Sequence, residues 1–330
     1  MESHDAFERL NNSLSPGQVA SLESALIPLV HAVHPAPQSA RGCGSSLYLF
    51  GSLCYGNMSI LAVLRNGLLI RRCAAMARGN GGANEVGKVN ASILLGLAVG
   101  NATTSQAKSE AMNAFGDVRV LRAIGEAVSL AVDEVYSKSQ EPTIPEINVV
   151  QETPALPSDN NAIPATLSAR LSNLVQTVHD CSYLSEDMAS GVATAGAAAF
   201  QAIARLFAGT EGRKWLAGNP EVVAWCVGIV VAGVRRLNAD TANMLSSSQL
   251  ANHLLQLSTL PGAPPSPHLL AFTEIILSRF PLISTEWKRK GVSVRLTRWV
   301  ESIERAGRWR DREAKEQWEG IARRIASISI

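Results

Sequence analysis

The sequence predicts an all-α protein made of stacked helical units, and three observations support that fold class. The chain of 330 residues is 46% hydrophobic but only 5% aromatic, which suits helices packed through small side chains better than strand-rich folds. Apolar residues recur with helical periodicity along most of the chain, and strand-like alternation is nowhere sustained. One stretch of residues also recurs further along the chain, as stacked helical arrays require.

The recurring stretch is SSLYLFGSLCYGN, which ends at Asn57, and its counterpart VNASILLGLAVGN ends 44 residues later at Asn101. Each is followed by a helical segment that ends in glycine, at Gly67 and Gly116, and each glycine precedes another apolar helix. Because one such unit cannot cover its own apolar face, we expect successive units to stack on one another.

The helical pattern stops once, and that interruption defines the domains. From 137 to 165 the chain is rich in proline, acidic and amide residues and has little to bury, so we interpret 137–165 as a flexible insertion. It separates N-terminal repeats over 1–136 from C-terminal repeats over 166–330, which end in basic helices.

Charge and cysteine content limit the possible environment of the protein. Lys and Arg (30) nearly balance Asp and Glu (28), so bulk charge requires neither nucleic acid nor an anionic membrane. The five cysteines have no paired short spacing, which indicates reduced thiols rather than a disulfide framework. The N-terminus is not a secretory signal, and the most apolar run, Val222 to Val234, has 13 residues, fewer than the ~20 of a membrane span. We expect an intracellular protein, cytoplasmic or nuclear.

The order of the units resembles the armadillo repeat, in which a long third helix leads into a short first helix that ends in glycine and then a second helix. Two-helix HEAT repeats are the nearest alternative. The junctions that carry the resemblance are FGSLCYGN, LGLAVGN, AIARLFAGTEGRKWLAG and ILSRFPLISTEWKRKG, with bends at Gly67, Gly116, Gly218 and Gly291. Glycine suits such bends because it permits positive φ or close helix approach. The resemblance implies a right-handed α-solenoid.

Armadillo proteins commonly hold an extended peptide on the inner face of their third helices, with asparagines clamping its backbone. The matching positions here are Ser52, Gly96, Arg205 and Arg279, and none is asparagine. The resemblance therefore implies a groove without the regular asparagine ladder of nuclear import adaptors. Arg205 and Arg279 could offer it cationic side chains for acidic groups or phosphates. The alternative is that these arginines pair with neighbouring acids.

The C-terminal helices are basic. Between Lys288 and Arg312 nine basic residues face three acidic ones, a local charge of +6. The apolar stripe of VSVRLTRWVESIERAG leaves Arg295, Arg298 and Arg305 facing outward. Tryptophans at 287, 299 and 309 are interleaved with these charges. This surface could hold nucleic-acid backbone or an acidic protein, and the alternative is a solvated helix whose tryptophans anchor the core.

The stretch GANEVGKV, Gly82 to Val89, nearly matches a phosphate-binding loop. Val89 replaces the hydroxyl residue that binds magnesium, and a helical segment precedes the stretch where such a loop needs a strand. We therefore predict a connection between repeats, with the Lys88 side chain in solvent.

Other chemical signals are weaker. His31 and His34 stand one helical turn apart but lack a third metal ligand. The run His179-Asp180-Cys181 contains the ingredients of a thiol nucleophile, yet adjacent residues on a helix should point away from one another. We predict no catalytic residues, no cofactor and no metal.

The sequence therefore predicts a non-enzymatic scaffold or adaptor, a subunit of a larger assembly that binds protein through a concave groove. The basic C-terminal region would be its second contact surface, with no membrane contact. An RNA-binding helical repeat protein is the alternative, and a nucleotide-binding enzyme that uses Lys88 is less favoured.

Overall fold

The computed structural model describes residues 17–18, 21, 60–65, 67–80, 83–138, 163–235, 242–243, 245, 249–260, 263–309 and 312–329. Within these ranges the chain forms helices and turns without a strand, which confirms the all-α prediction. The first helices are α1 (Ile60–Arg65), α2 (Gly67–Ala77), α3 (Glu85–Gly100), α4 (Ser105–Phe115) and α5 (Val118–Lys138). The next are α6 (Ala165–Leu184), α7 (Glu186–Ala195), α8 (Ala197–Ala208), α9 (Thr210–Ala217) and α10 (Pro220–Arg235). The last are α11 (Leu250–Ser258), α12 (Pro267–Arg279), α13 (Pro281–Arg289), α14 (Val292–Arg305) and α15 (Arg312–Ser327).

Short polar residues determine where several helices begin. The side chain of Asn84 accepts a hydrogen bond from the Gly87 amide at 2.8 Å at the start of α3. Thr104 caps α4 in the same way, and Ser185 caps α7. Each cap satisfies an amide that the first helical turn leaves without a partner.

The four predicted glycine bends all lie at junctions between a short helix and a longer one. Gly67 opens α2, Gly116 ends α4, Gly218 ends α9, and Gly291 precedes α14. Of these, Gly291 adopts the left-handed conformation, with φ of 65°, which glycine tolerates best. At Gly116 the reason is close approach, because a β-carbon there would lie 2.4 Å from the Met112 carbonyl oxygen.

The long helices pack in two rows. In the first row α3 packs on α6, α6 on α10, α10 on α12, and α12 on α15. In the second row α2 packs on α5, α5 on α8, and α8 on α11. The two rows also contact each other, for example through α2 with α3 and α5 with α6. A continuous apolar core runs between them through the described part of the chain.

One equivalence suggested by the sequence differs in the structure. The junctions after α8 and after α12 look alike in sequence, but α8 belongs to the second row and α12 to the first. The short helix α9 connects α8 to α10, and α10 takes the place between α6 and α12. The apolar run from Val222 to Val234 explains this position, because α10 is buried on nearly every side and must be covered by several neighbours.

Several predicted features fall wholly or partly outside the described residues. Helix α5 runs to Lys138 and α6 begins at Ala165, and most of the predicted insertion lies between them, outside the described ranges. Ser52, His31 and His34 are also outside them. Among the helices described, none is by itself long and apolar enough to cross a membrane, although two bent pairs, α7 with α8 and α9 with α10, meet that test together.

Candidate functional site

The arginines predicted to share a groove lie on different rows. Arg205 is exposed on α8 in the second row, where its guanidinium forms an ion pair with Asp133 of α5. Arg279 is exposed at the end of α12 in the first row and forms no ion pair with any described residue. The structure therefore does not bring the two arginines together. Arg205 instead pairs with a neighbouring acid, which was the alternative interpretation of the sequence.

The basic surface of α14 is present, but its tryptophans are not part of it. Arg295, Arg298 and Arg305 are exposed and form no ion pair within the described ranges. Trp287 and Trp299 are buried, and Trp309 and Trp318 stack edge-on against the Trp299 ring with centroids 6.2 and 5.1 Å away. The tryptophans thus anchor the core. We name the exposed side of α14 that carries Arg295, Arg298 and Arg305 the arginine flank.

A polar cluster that the sequence analysis did not identify joins three helices of the first row. The Nδ1 atom of His179 lies 2.8 Å from Oδ1 of Asp180, and its Nε2 atom lies 3.0 Å from Nε2 of His268 on α12. The hydroxyl of Tyr183 lies 3.2 Å from Nδ1 of His268 and 3.0 Å from the carbonyl oxygen of Gly228 on α10. We call these four side chains and the Gly228 carbonyl the histidine cluster.

The rings of the histidine cluster form a compact triangle. The ring centroids of His179, Tyr183 and His268 are each 4.9 Å from the other two. Tyr183 is the exposed member of the cluster, at 42%, whereas His179, Asp180 and His268 are half-buried. Packing by the other two rings fixes the orientation of Tyr183.

Glycines make room for the cluster. A β-carbon at Gly228 would lie 2.6 Å from Cδ2 of His179 and 3.2 Å from Cδ2 of His268. On the other side of α6, a β-carbon at Gly100 of α3 would lie 2.9 Å from Oδ2 of Asp180. Neighbouring helices of the first row can therefore approach α6 closely enough to surround these polar groups.

Burial sets the protonation of the cluster. Burial, His179 and Arg235 together lower the pKa of His268 from its usual 6.5 to about 4, so this ring is neutral at neutral pH. Burial raises the pKa of Tyr183, partly offset by Arg235, and its hydroxyl keeps its proton. His268 and Tyr183 are therefore both uncharged at neutral pH, and they interact by hydrogen bonding rather than as an ion pair.

The expectation that His179 and Asp180 point away from one another is wrong. Their side chains meet at 2.8 Å although they are consecutive on α6. Cys181 is different. It is buried, and burial together with Asp180 raises the pKa of its thiol, so it is not a reactive thiolate. Within the described ranges no three or more His, Cys, Asp or Glu side chains are placed to hold a metal ion.

The lysine of the loop-like stretch belongs to an ion cluster rather than to solvent, so that prediction is wrong. Lys88 is inside α3, its side chain is 19% exposed, and its Nζ lies 2.6 Å from Glu85 and 4.0 Å from Glu134. Arg170 of α6, which is 1% exposed, donates to the same two carboxylates at 2.9 and 2.7 Å. These four charges connect α3, α5 and α6. We call them the buried ion cluster.

The sequence offered only half of the signal for the histidine cluster. His179 and Tyr183 stand four residues apart and so share one face of a helix, but His268 is 89 residues further along the chain than His179.

Comparison of the chain with protein-family models finds no match, and a search of curated proteins finds none either.

Proposed function

We propose that the protein is a non-enzymatic, intracellular scaffold or adaptor whose two rows of helices form a right-handed, armadillo-like α-solenoid. In this proposal the first row binds a segment of another protein, and the histidine cluster is the centre of the contact. The observation that carries the proposal is the exposed Tyr183 ring, which three successive helices of one row hold in place. Stacked helical repeats offer long continuous surfaces of this kind to extended partners.

The fixed tyrosine supports binding in energetic terms. A tyrosine provides a large apolar ring and a polar hydroxyl, and it loses little conformational entropy on binding when its rotamer is already set. Tyrosines in such settings are frequent among the residues that dominate interface energies. The polar groups of Asp180 and His268 beside the ring would form hydrogen bonds with the partner at the edge of the contact.

The state of the nearby groups favours binding over covalent catalysis. Tyr183 keeps its proton and Cys181 is a buried thiol, as the raised pKa of each indicates. Neither group is an activated nucleophile. We therefore retain the non-enzymatic function in the proposal.

The arginine flank is the second contact surface in this proposal, as part of a larger assembly. Its guanidinium groups are exposed and without ion pairs among the described residues, so they are available to carboxylates of an acidic protein segment. RNA binding is the alternative function. It is supported by the same arginines, but the burial of Trp287 and Trp299 removes the exposed rings on which single-stranded bases stack.

Affinity purification with quantitative mass spectrometry tests the proposal. The wild-type protein is compared with Tyr183→Ala, which removes the exposed ring from the first row, and with Arg279→Glu on the same row. The matched control is Leu130→Ala, a comparably exposed residue of α5 in the second row. Partners lost with Tyr183→Ala and kept with Leu130→Ala support the proposal. Partners kept by Tyr183→Ala show that the contact surface is elsewhere.

RNA binding is tested separately with single-stranded RNA at increasing salt concentration. If RNA were the ligand, binding would weaken steeply with salt, and reversal of Arg295, Arg298 and Arg305 to glutamate would abolish it. Absent or salt-insensitive binding eliminates the RNA alternative.

A further inference from the structure

We propose that the histidine cluster is a pH-sensitive relay, in which uptake of one proton shifts the hydrogen of the His268 ring from Nε2 to Nδ1 and completes a hydrogen bond from that ring to the Tyr183 hydroxyl. The relay itself is a property of the free protein. Its effect on partner binding rests on the proposed function above.

The cluster forms one line of four short gaps between polar atoms. They join Asp180 to His179, His179 to His268, His268 to Tyr183, and Tyr183 to the Gly228 carbonyl, at 2.8, 3.0, 3.2 and 3.0 Å. A hydrogen bond needs one hydrogen in each gap, so four are required. Two neutral imidazoles and one phenol supply three. The line is therefore one hydrogen short when both rings are neutral.

The two ends of the line decide which gap is empty. The Asp180 carboxylate only accepts, so the neutral His179 ring carries its hydrogen on Nδ1 and accepts at Nε2. His268 must then donate from its own Nε2 and accept at Nδ1. The Gly228 carbonyl also only accepts, so the hydroxyl of Tyr183 donates to it. The 3.2 Å gap between that Nδ1 and the Tyr183 oxygen is then without a hydrogen.

One added proton fills all four gaps. His179 then donates from both ring nitrogens, and His268 accepts at Nε2 and carries its hydrogen on Nδ1. Tyr183 accepts from that Nδ1 and donates to the Gly228 carbonyl. The step balances, because the solvent proton binds at Nδ1 of His268 and the hydrogen on Nε2 of His268 passes to Nε2 of His179. The net charge of His179 rises by one, while His268 stays neutral.

Charges around α6 place the added proton on His179. The Asp180 carboxylate contacts this ring at Nδ1. His268, from α12, and Arg235, from α10, are the other groups of the site, and the pKa of His268 is lowered to about 4. From α3 the uncharged Gly100 lies against the Asp180 side chain.

Charged groups also stand on the other helices that contact α6. On α4 these are Lys108 and Glu110, and Glu110 pairs with Arg65. Glu186 and Asp187 stand in the first turn of α7, after the end of α6. Glu85 of α3 and Glu134 of α5 pair with Arg170 near the opposite end of α6. The Asp180 carboxylate is thus the acid in direct contact with the His179 ring.

The relay changes the surface that the first row presents. In the neutral form the Gly228 carbonyl alone holds the Tyr183 hydroxyl, whereas in the protonated form the hydroxyl also accepts from His268, and a positive charge lies on the neighbouring His179 ring. An acidic partner segment gains affinity in the protonated form. The site therefore binds such a segment more tightly as the pH falls through the transition of the cluster.

Nitrogen-15 NMR of the imidazole rings tests the relay in the free protein between about pH 8 and pH 5. We expect the His179 ring to change from its Nδ1–H form to the doubly protonated form. At the same midpoint, His268 should change from its Nε2–H to its Nδ1–H tautomer without being protonated. Unchanged tautomer at His268, or protonation of His268 in this range, overturns the relay.

Two variants complete the experiment. Tyr183→Phe removes the oxygen that accepts from Nδ1 of His268 in the protonated form, so the tautomer change should need a lower pH than in the wild type, and an unchanged midpoint contradicts the relay. His253→Gln is the control, since that half-buried histidine lies on α11 outside the cluster and both transitions should be unaffected.

The titration also separates the two proposals. It contains no partner, so an absent tautomer change overturns the relay alone. If the relay is observed but Tyr183→Ala retains every captured partner, the relay stands and the proposed binding face is wrong.

Discussion

Gly228 of α10 lies directly against the imidazole of His179 on α6. A β-carbon at position 228 would stand 2.6 Å from Cδ2 and 2.8 Å from Nε2 of that ring. The absence of a side chain is what allows α10 to pack beside α6 while His179 reaches across it to His268. The apolar packing of the first row and its polar cluster therefore depend on the same small residue.

Gly228→Ala should destabilise the protein by about 1–3 kcal/mol, because the new methyl group forces the two imidazoles or the helices to shift. The matched control is Gly320→Ala on α15, where nothing lies within 4 Å of the added carbon. That change should stabilise the protein by about 0.5–1 kcal/mol, since alanine favours helix. Chemical denaturation measures both, and equal effects of the two substitutions would contradict the close contact.

Arg170→Ala should cost about 1–3 kcal/mol of unfolding free energy, because it removes a buried guanidinium that donates to two partly exposed carboxylates. It takes away one of the two cations that contact both Glu85 and Glu134, the other being Lys88. The control is Arg312→Ala, whose ion pair with Glu316 is almost fully exposed and should contribute about 0–1 kcal/mol. Comparable losses in the two variants would show that the buried ion cluster does not stabilise the fold.

Nucleotide should not stabilise the protein. Lys88 lies within α3, and its ammonium group already contacts the carboxylates of Glu85 and Glu134. These carboxylates neutralise the positive charge that would attract a phosphate. We expect ATP with magnesium to leave the melting temperature of the wild-type protein unchanged, whereas a bound ligand would raise it by mass action. A concentration-dependent increase that Lys88→Ala abolishes would revive the nucleotide-binding alternative.

Patterns that act within one helix were readable from the sequence, and contacts between distant helices were not. The periodicity of VSVRLTRWVESIERAG identified the buried residues of α14, and the glycine bends located the junctions at Gly116, Gly218 and Gly291. The row to which α8 belongs could not be inferred locally, because its C-terminal residues match those of α12. That difference depends on what each helix packs against.

The same distinction between patterns within one helix and contacts between helices applies to the candidate site. Exposure of Arg295 and Arg298 was predictable because it is set by the apolar stripe of their own helix. The histidine cluster depends on His268 of α12 and on the absence of a side chain at Gly228. The role of either residue can be recognised only when the packing of the helices is known. The fate of Lys88 likewise depends on Arg170, which is 82 residues away in the chain.

His268 should make the protein sensitive to acid. Its pKa in the folded chain, about 4, is below the usual 6.5, so as the pH falls the unfolded chain takes up a proton first. Stability from this residue is complete above about pH 6.5 and is lost as the pH falls toward 4. His268→Gln should therefore reduce the loss of unfolding free energy between about pH 7 and pH 5 by about 1–2 kcal/mol.

The comparison for this titration is His253→Gln. Burial, Arg213 and Lys290 lower the pKa of His253 as well, though less than at His268. Its removal should change the pH dependence in the same direction by a smaller amount. Denaturation curves at several pH values measure the effect, and a steeper acid dependence in His268→Gln than in the wild type would contradict the assignment.

The arginine flank should bind acidic polymers without contributing to stability. Arg295 and Arg298 are one turn apart, exposed, and without ion pairs among the described residues. The double change Arg295→Glu/Arg298→Glu should leave the melting temperature unchanged and weaken binding to poly-glutamate at least about tenfold at low salt. The matched control is Arg119→Glu/Arg122→Glu, an exposed pair with the same spacing on α5 in the second row. If both double variants lose the same affinity, the binding reflects net charge alone and the flank is not a specific surface.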